Sequence, residues 1–272
     1  MDVSLMIEGQ MGLTWSRWKR LVADAEELGF AGLYRSDHFQ NPRPPDQEAL
    51  ELVTSLTYVA TTTSRIRFGP LVAPVSFRDP VQLARQAAAI DDLSGGRFIL
   101  GMGAGWMERE HVTFGYDLLG VADRFRRLEE ALQVVRGLLG ADRPFSFEGS
   151  FYRLYEAPLL PRPERAGGPP ILVGGNGPRR SLPLAARYAD VWNGIGSLEG
   201  LRARNDTLDR LLEAEGRAPT EVKRTVMMSA HGEDVGDRIR SAEDAGTGEV
   251  MLQWLTIDDD EGLRALARSV LS

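Results

Sequence analysis

The sequence predicts an α/β fold of the (β/α)₈ TIM-barrel type, with insertions at the C-terminal face of the strands. Short apolar, strand-like runs alternate with amphipathic helices, and eight such pairs follow one another along the chain. The length of 272 residues is that of one barrel domain, expected to cover residues 1–272. Strict alternation requires parallel strands joined by right-handed crossovers. An open doubly wound sheet would show the same alternation, so the periodicity leaves closure undecided.

Each predicted element has a local signal. In the first helix, Trp18, Leu21 and Ala25 recur at helical spacing, and Gly29 ends the pattern. Short apolar runs bounded by turn residues indicate the strands. The predicted strands cover residues 3–7, 32–35, 66–72, 98–102, 171–173, 189–192, 225–230 and 249–253. The predicted helices cover residues 15–28, 48–60, 80–93, 123–139, 181–186, 198–215, 235–245 and 261–271.

Three segments interrupt the alternation, at residues 40–47, 104–122 and 141–170. Barrel active sites are built from loops at the C-terminal ends of the strands, so we expect these insertions to enclose a pocket. In the third segment, residues 145–152 alternate around Gly149, which predicts a small hairpin.

The composition excludes several classes of chemistry. The chain has no cysteine, which rules out disulfides, thiolate nucleophiles and cysteine-bound metals. Lys19 and Lys223 are its only lysines, and neither follows a predicted strand, so a Schiff-base enzyme is disfavoured. A net charge of −7 without a basic stripe argues against nucleic-acid binding. No apolar run approaches the ~20 residues of a membrane span, and the first residues lack signal-peptide features, so we expect a cytoplasmic protein.

Asp37 and His38 are the candidate catalytic residues. They directly follow the second predicted strand, where a barrel places catalytic groups. A histidine there can give or take a proton at neutral pH, although a purely structural histidine is the alternative. Adjacent residues on extended chain point to opposite faces, so this pair does not chelate one metal. Glu108 and His111 share a helical face without a third partner, and no metal site is predicted.

Two glycine-rich segments are candidate binding loops. Gly101, Gly103 and Gly105 alternate at the end of the fourth strand, which we interpret as a flat surface for a planar ring. Close packing of the chain itself is the alternative. The segment after the fifth strand opens a helix, whose N-terminus attracts anions, and predicts a phosphate site; a tight strand-to-helix turn is the alternative. Its residues are Gly174, Gly175, Asn176, Gly177, Pro178 and Arg179.

Together these segments resemble the luciferase-like monooxygenase superfamily, and most of all its F420-dependent oxidoreductases. The resemblance covers about residues 2–194 and rests on the order of several motifs. They are Ser36-Asp37-His38-Phe39, residues 65–75, Arg78-Asp79-Pro80, Ser94-Gly95-Gly96-Arg97, Gly103-Ala104-Gly105-Trp106 with Glu110, and Gly174-Gly175-Asn176-Gly177. The resemblance implies a (β/α)₈ barrel, often a homodimer, that holds coenzyme F420 or alternatively FMN at its C-terminal mouth.

The resemblance also assigns residues to the cofactor. It implies a bulged third strand with a non-proline cis peptide near Leu71 and Val72, which with Ala73 would back the ring. The loop of Gly103, Ala104, Gly105 and Trp106 would lie beside the ring and its tail. The loop from Gly174 to Arg179 would hold the phosphate, and His38 would approach the redox centre.

One departure bears on the substrate. Sugar-phosphate dehydrogenases of this group have a glutamate after the G-x-G of strand four, whereas this chain has Trp106 and few lysines. We therefore predict hydride transfer between F420 and a small, largely apolar organic substrate, in a pocket shaped by Trp106, Met102, Phe39 and the hairpin. An FMN-dependent monooxygenase, a non-catalytic flavin-binding protein and a phosphosugar isomerase or lyase are the alternatives.

Overall fold

The computed structural model describes residues 1–232 and 234–271, so the predicted domain end at Ser272 lies outside the described residues. The strands are β1 (Asp2–Ile7), β2 (Gly32–Arg35), β3 (Arg67–Pro70), β4 (Ala73–Pro74), β5 (Leu100–Gly103), β6 (Phe145–Glu148), β7 (Arg153–Ala157), β8 (Ile171–Gly174), β9 (Val191–Ile195), β10 (Lys223–Ser229) and β11 (Glu249–Trp254). The helices are α1 (Trp15–Leu28), α2 (Leu52–Thr62), α3 (Pro80–Leu93), α4 (Glu108–Phe114), α5 (Val121–Gly140), α6 (Ser181–Tyr188), α7 (Leu201–Ala214), α8 (Val235–Asp244) and α9 (Asp260–Val270). Among these, no helix is both long and apolar enough to traverse a bilayer.

The third predicted strand closes the sheet into a barrel. It is divided into β3, which pairs with β2, and β4, which pairs with β5. Phe68 in β3 also forms a parallel bridge with Phe98, and the Ile99 N–H donates to the Phe68 carbonyl oxygen at 2.9 Å. The remaining parallel pairs run through β1, β11, β10, β9 and β8 to β5. The prediction of a (β/α)₈ barrel is therefore confirmed, and the alternative of an open sheet is not.

The division of the third strand lies at Leu71 and Val72, which were predicted to continue it. The peptide bond between these two residues is cis, as the resemblance implied. The Leu71 N–H still donates to the Arg35 carbonyl oxygen at 2.8 Å, whereas pairing with β5 resumes at Ala73. The bulge thus transfers the strand from one neighbour to the other.

The two ends of the barrel interior differ in chemistry. The interior itself is an apolar cluster formed by Met6, Tyr34, Leu71, Ile99, Leu172, Val191 and Met251. At the N-terminal ends of the strands, Lys223 Nζ lies 2.8 Å from Asp2 and 2.7 Å from Glu249, and Arg67 lies 2.7 Å from Asp2. We call these four residues the basal ionic cluster. They join the first residues of β1, β3, β10 and β11.

The basal ionic cluster changes the titration of Asp2, one of its members, and of the neighbouring Tyr34 phenol. Burial raises the pKa of Asp2, but hydrogen bonds from Lys223 and Arg67 outweigh it and leave the pKa below its ordinary value. Burial and the neighbouring Glu249 carboxylate raise the pKa of the Tyr34 phenol well above its ordinary value. The Ser4 hydroxyl donates to Glu249 at 2.5 Å. The buried Glu249 carboxylate therefore accepts hydrogen bonds from side chains of three strands, namely Ser4 of β1, Arg67 of β3 and Lys223 of β10.

The third insertion does not enclose the pocket. Its hairpin, β6 and β7, forms as predicted, with the turn at residues 149–152. The hairpin packs outside the barrel on α5, where the Glu130 carboxylate accepts N–H groups of Ser150 and Phe151 at 2.8 Å. The reason is its place in the chain, because residues 141–170 follow a helix, whereas pocket loops follow strands.

Candidate active site

A cavity of about 870 Å³ opens at the C-terminal ends of the barrel strands. The insertions at 40–47 and 104–122 both contribute to its lining, through Asn41, Pro42 and Arg43 and through residues 104–106 and 110–111. Most of its surface is apolar, with side chains of Leu71, Val72, Phe77, Trp106, Phe125 and Met227. This size and composition are those of a binding site for a cofactor or substrate.

Some side chains predicted to shape the pocket do not line it. Met102 is fully buried between the sheet and the helices, because its side chain faces outward from the barrel. Phe39 packs 4.6 Å from Phe77 and 5.1 Å from Phe114, measured between ring centroids, and supports the lining from behind. Trp106 does line the cavity and is 60% exposed, as expected of an accessible aromatic surface.

His38 lines the cavity and is held by a buried glutamate. Its Nδ1 lies 3.0 Å from Oε2 of Glu110 on α4, and the other carboxylate oxygen accepts the Phe39 N–H at 2.5 Å. Because Nδ1 is engaged by Glu110, Nε2 is the ring nitrogen left for the cavity. The edge of Trp106 packs against the imidazole, with ring centroids 5.5 Å apart. This His38–Glu110 pair is oriented to exchange a proton with a ligand in the cavity.

Asp37 points away from the cavity, so the geometry does not support its predicted catalytic role. Arg78 binds its carboxylate in a bidentate manner, with both nitrogen–oxygen distances 2.8 Å, and Asp37 is absent from the cavity lining. Burial lowers the pKa of Arg78, but Asp37 and Glu51 raise it more, so the guanidinium stays charged. Because side chains alternate along extended chain, the residue beside His38 must face the other side. Asp37 thus anchors the loop that presents His38.

The Arg78 ion pair predicts how stability depends on pH. Burial raises the pKa of Glu51, but hydrogen bonds from Thr54 and Arg78 outweigh it and lower the pKa to about 2. A carboxyl whose pKa is lower in the folded state stabilises the fold above the unfolded-state pKa of about 4.3 and loses this contribution as the pH falls towards about 2. The Glu51 side chain is 48% exposed, so the contribution is about 1 kcal/mol or less.

We expect Glu51→Gln to remove this part of the acid sensitivity. Urea unfolding at neutral pH and near pH 3 should then show a smaller loss of unfolding free energy on acidification than in the wild type. Glu213→Gln, at an exposed position on α7, makes the same charge change and should behave as the wild type. Equal acid sensitivity in Glu51→Gln and the wild type would contradict the prediction.

Most of the residues assigned to the cofactor ring line the cavity, and one lies in the core. Leu71 and Val72 line the cavity, whereas Ala73 is fully buried in the core. Gly103, Ala104, Gly105 and Trp106 all line the cavity. The bulge and the loop after β5 are therefore brought together as predicted, except for Ala73.

The alternate glycines of β5 make room for the chain itself. A Cβ on Gly101 would overlap the carbonyl oxygen of Pro70, and one on Gly103 would overlap the side chain of Val72. Gly105 has φ +77°, and its Cβ would overlap the Ser76 hydroxyl. The missing side chains of all three accommodate the neighbouring third strand and the loop after it, which is the alternative interpretation, while Gly103 and Gly105 also line the cavity and Gly101 does not.

The loop after β8 reaches the cavity through part of its length. Gly174 and Gly175 line it together with Ser181, the first residue of α6. Asn176 instead bridges to Ile195 at the end of β9, donating to its carbonyl oxygen at 2.7 Å and accepting its N–H at 3.0 Å. Gly177, Pro178 and Arg179 do not line the cavity, and Pro178 precedes α6 rather than opening it. Gly175 has φ +120°, a conformation that favours glycine.

The sequence comparisons agree with this geometry. The family model described as luciferase-like monooxygenase matches residues 3–252. The chain belongs to the luciferase-like monooxygenase family. Among the curated members of this family, it is 34% identical over 210 residues to the F420-dependent glucose-6-phosphate dehydrogenase of Kineococcus radiotolerans, covering 75% of this chain and 60% of that protein. It is 33% identical over 236 residues to the F420-dependent hydroxymycolic acid dehydrogenase of Mycobacterium tuberculosis, covering 80% and 61%.

Another relative is named for a different cofactor. The chain is 30% identical over 201 residues to the FMNH(2)-dependent dimethylsulfone monooxygenase of Pseudomonas putida, covering 74% of this chain and 54% of that protein. The chain thus spans less than two thirds of the length of these relatives. The solved structure of the F420-dependent tetrahydromethanopterin reductase from Methanopyrus kandleri superimposes with a TM-score of 0.78 at 19% identity, covering 100% of this chain and 99% of that one. This agreement shows that the two chains share the barrel fold.

Two polar features of this luciferase-like cavity were not predicted from the sequence. Glu110 was named only as part of a motif, and its pairing with His38 spans 72 positions, which no local pattern encodes. Glu8, which lines the cavity directly after β1, was not predicted at all. The position of Glu8 could have been used to predict it from the sequence, because a carboxylate at the C-terminal end of a barrel strand is a candidate site residue.

Proposed function

We propose that the protein is an F420-dependent oxidoreductase that transfers a hydride between the deazaflavin and a small, largely apolar organic substrate. The observation that carries the proposal is the His38–Glu110 pair, which presents a ring nitrogen to a large apolar cavity beside the third-strand bulge. Two of the relatives compared above are named as F420-dependent dehydrogenases, which supports the choice of cofactor.

The residues present fit such a cofactor. The cavity volume of about 870 Å³ is within the range of cofactor sites. Leu71, Val72 and the segment from Gly103 to Trp106 would contact the ring. Gly174, Gly175 and Ser181 lie at the N-terminus of α6, where backbone N–H groups and the helix dipole favour an anionic tail. Gly177, Pro178 and Arg179 follow in the same loop and would complete the phosphate site.

The cofactor and the side chains of the cavity would have different roles in the reaction. When bound, the deazaflavin supplies or accepts the hydride. His38 Nε2 would give or take the accompanying proton, while Glu110 holds the ring and stabilises its protonated form. Trp106, Phe77 and Phe125 would exclude water and contact the apolar substrate. Trp106 in place of a glutamate favours such a substrate over a sugar phosphate.

An FMN-dependent monooxygenase is the second candidate function. It is favoured by the relative named as an FMNH(2)-dependent monooxygenase, whose similarity covers 74% of this chain. A flavin-binding protein without turnover would use the same cavity, and it would have no need of the His38–Glu110 pair.

Titration of the purified protein with F420 and with FMN tests the cofactor. We expect F420 to quench the tryptophan fluorescence with at least about tenfold higher affinity than FMN, which corresponds to about 1.4 kcal/mol. Tighter binding of FMN than of F420 would contradict the proposal and favour the monooxygenase.

Arg179 and Arg180 offer a test of the phosphate site. Both are exposed just before α6, and the Arg180 guanidinium lies 5.8 Å from the centre of the Phe125 ring at the cavity. We expect the double replacement of Arg179 and Arg180 by alanine to weaken F420 binding about tenfold or more, because hydrogen bonds to charged groups are lost. Arg240→Ala, on α8 outside the cavity, should bind F420 as the wild type does. Unchanged affinity in the double variant would place the tail elsewhere.

We also infer a cytoplasmic homodimer that acts on a small molecule and binds neither nucleic acid nor membrane. The dimer would form through helices near the second and third strands, as the family resemblance implies. Light scattering coupled to size exclusion measures the mass, and a monomer would contradict this part of the proposal.

A further inference from the structure

We propose that Glu8 selects substrates that carry a protonated amine beside their apolar body. The inference rests on the proposed function, because it assigns Glu8 to the substrate part of the same cavity. Glu8 directly follows β1 and lines the cavity. Neither the His38–Glu110 pair nor the predicted cofactor loops include it.

The Glu8 carboxylate is held in one orientation by two side-chain amides. Its Oε1 accepts the Gln253 Nε2–H at 2.6 Å, and its Oε2 accepts the Gln10 Nε2–H at 3.0 Å. The Gln10 oxygen accepts the Ser36 hydroxyl at 2.8 Å, and the Ser36 oxygen in turn accepts the Gly9 N–H at 2.9 Å. This chain of bonds determines which way the Gln10 amide faces. The carboxylate is therefore presented by a built network and not by a mobile side chain.

The Glu8 carboxylate takes part in none of the ion pairs found within residues 1–232 and 234–271. Its two amide donors, Gln10 and Gln253, are uncharged. The same cavity is lined mostly by apolar surface, which includes Met6, Met11 and Leu255. A carboxylate in largely apolar surroundings is stabilised by a cation far more than one in bulk water. Arg43 also lines the cavity but forms no ion pair with Glu8 among those found in the described residues, so the carboxylate is left to pair with a cationic ligand.

The chemistry of the donor set points to an ammonium group rather than a metal ion. Among the described residues no cluster of three or more acidic or histidine side chains could hold a metal. Each carboxylate oxygen retains a lone pair beyond its bond to an amide, and an ammonium supplies several N–H donors together with the positive charge. A hydroxyl group would supply one neutral hydrogen bond and leave the charge unbalanced.

Calorimetric titration of the F420-loaded protein with benzylammonium and with benzyl alcohol tests the proposal. We expect the wild type to bind benzylammonium at least about tenfold more tightly than the alcohol, and Glu8→Gln to remove that preference. Glu8→Met, which is apolar and of similar length, should do the same, and thermal unfolding shows whether each variant is folded. Glu213→Gln, which makes the same charge change on the exposed face of α7, should keep the preference.

Several outcomes would overturn the proposal. Equal affinities in the wild type, or a preference that persists in both Glu8 variants, would show that Glu8 does not select the amine. A loss of F420 affinity in Glu8→Gln would assign the carboxylate to the cofactor instead. If the wild type does not bind F420, the proposed function fails, and the same amine titration of the cofactor-free protein then tests Glu8 separately.

Discussion

Replacing His38 with alanine is expected to lower kcat/KM for hydride transfer by about 10²–10⁴-fold, the usual contribution of a positioned general acid or base. The imidazole is the cavity group that Glu110 orients, with Nδ1 engaged at 3.0 Å and Nε2 left for the ligand. Alanine removes the proton donor without altering the loops at Gly103 or Gly174. The affinity for F420 should therefore stay close to that of the wild type.

The measurement is the rate at which reduced F420 is oxidised by an acceptor that the wild type turns over. Added imidazole should restore part of the lost rate in His38→Ala, because the cavity left by the side chain can admit the free base. Glu110→Gln should give an intermediate loss, since it keeps the ring and weakens its orientation. His231→Ala, at a histidine outside the cavity lining, is the matched control.

Full activity of His38→Ala would contradict the proposed proton transfer. Tight F420 binding together with no turnover in the wild type would instead support a flavin-binding protein. These two results are distinguishable, because the binding titration and the rate are measured separately.

Replacing Gly101 with alanine is expected to destabilise the barrel by about 3 kcal/mol or more, at the upper end of the cost of overpacking a core. The new Cβ would overlap the carbonyl oxygen of Pro70, which is backbone and cannot rotate away as a side chain can. Pro70 also pairs with Arg35 of β2, so any displacement would disturb the junction that closes the sheet.

Urea unfolding followed by circular dichroism measures this loss. Gly140→Ala, at the end of α5, adds the same methyl group where no atom lies within 4 Å. It should be neutral or slightly stabilising, because alanine favours the helix. Equal stability of the two variants would show that the glycine at position 101 is not required by packing.

The sequence predicted the elements well where their signals are local. The bounds of α1 and α3 agree with the prediction because each has a cap within its own segment, at Thr14 and Asp79. The second helix was predicted to start at residue 48 but starts at Leu52, because the Glu51 side chain caps it by accepting the Thr54 N–H at 2.7 Å. Glutamate is not among the preferred capping residues, so this start has a weak signal.

Features that depend on distant residues were predicted less well. Closure of the barrel requires β3 to pair with β2 and β4 to pair with β5. The apolar pattern of residues 66–72 predicts one continuous strand and does not indicate this change of partner. The opposite orientations of Asp37 and His38 follow from strand alternation, yet only their distant partners, Arg78 for Asp37 and Glu110 for His38, show which of the two faces inward. The cavity position of residues 103–106 was anticipated, whereas the reason for the glycines was found only by comparing them with Pro70, Val72 and Ser76.

The basal ionic cluster has a consequence for how this scaffold can change. Asp2, Arg67, Lys223 and Glu249 connect four strands by ion pairs at the end of the barrel opposite the cavity, and the apolar interior lies between the two ends. Substitutions around the mouth therefore leave these ion pairs intact. Their effects on the free energy of unfolding should add to those of substitutions in the basal ionic cluster. A barrel organised in this way can acquire new substrates by exchanging mouth residues singly while its closure persists.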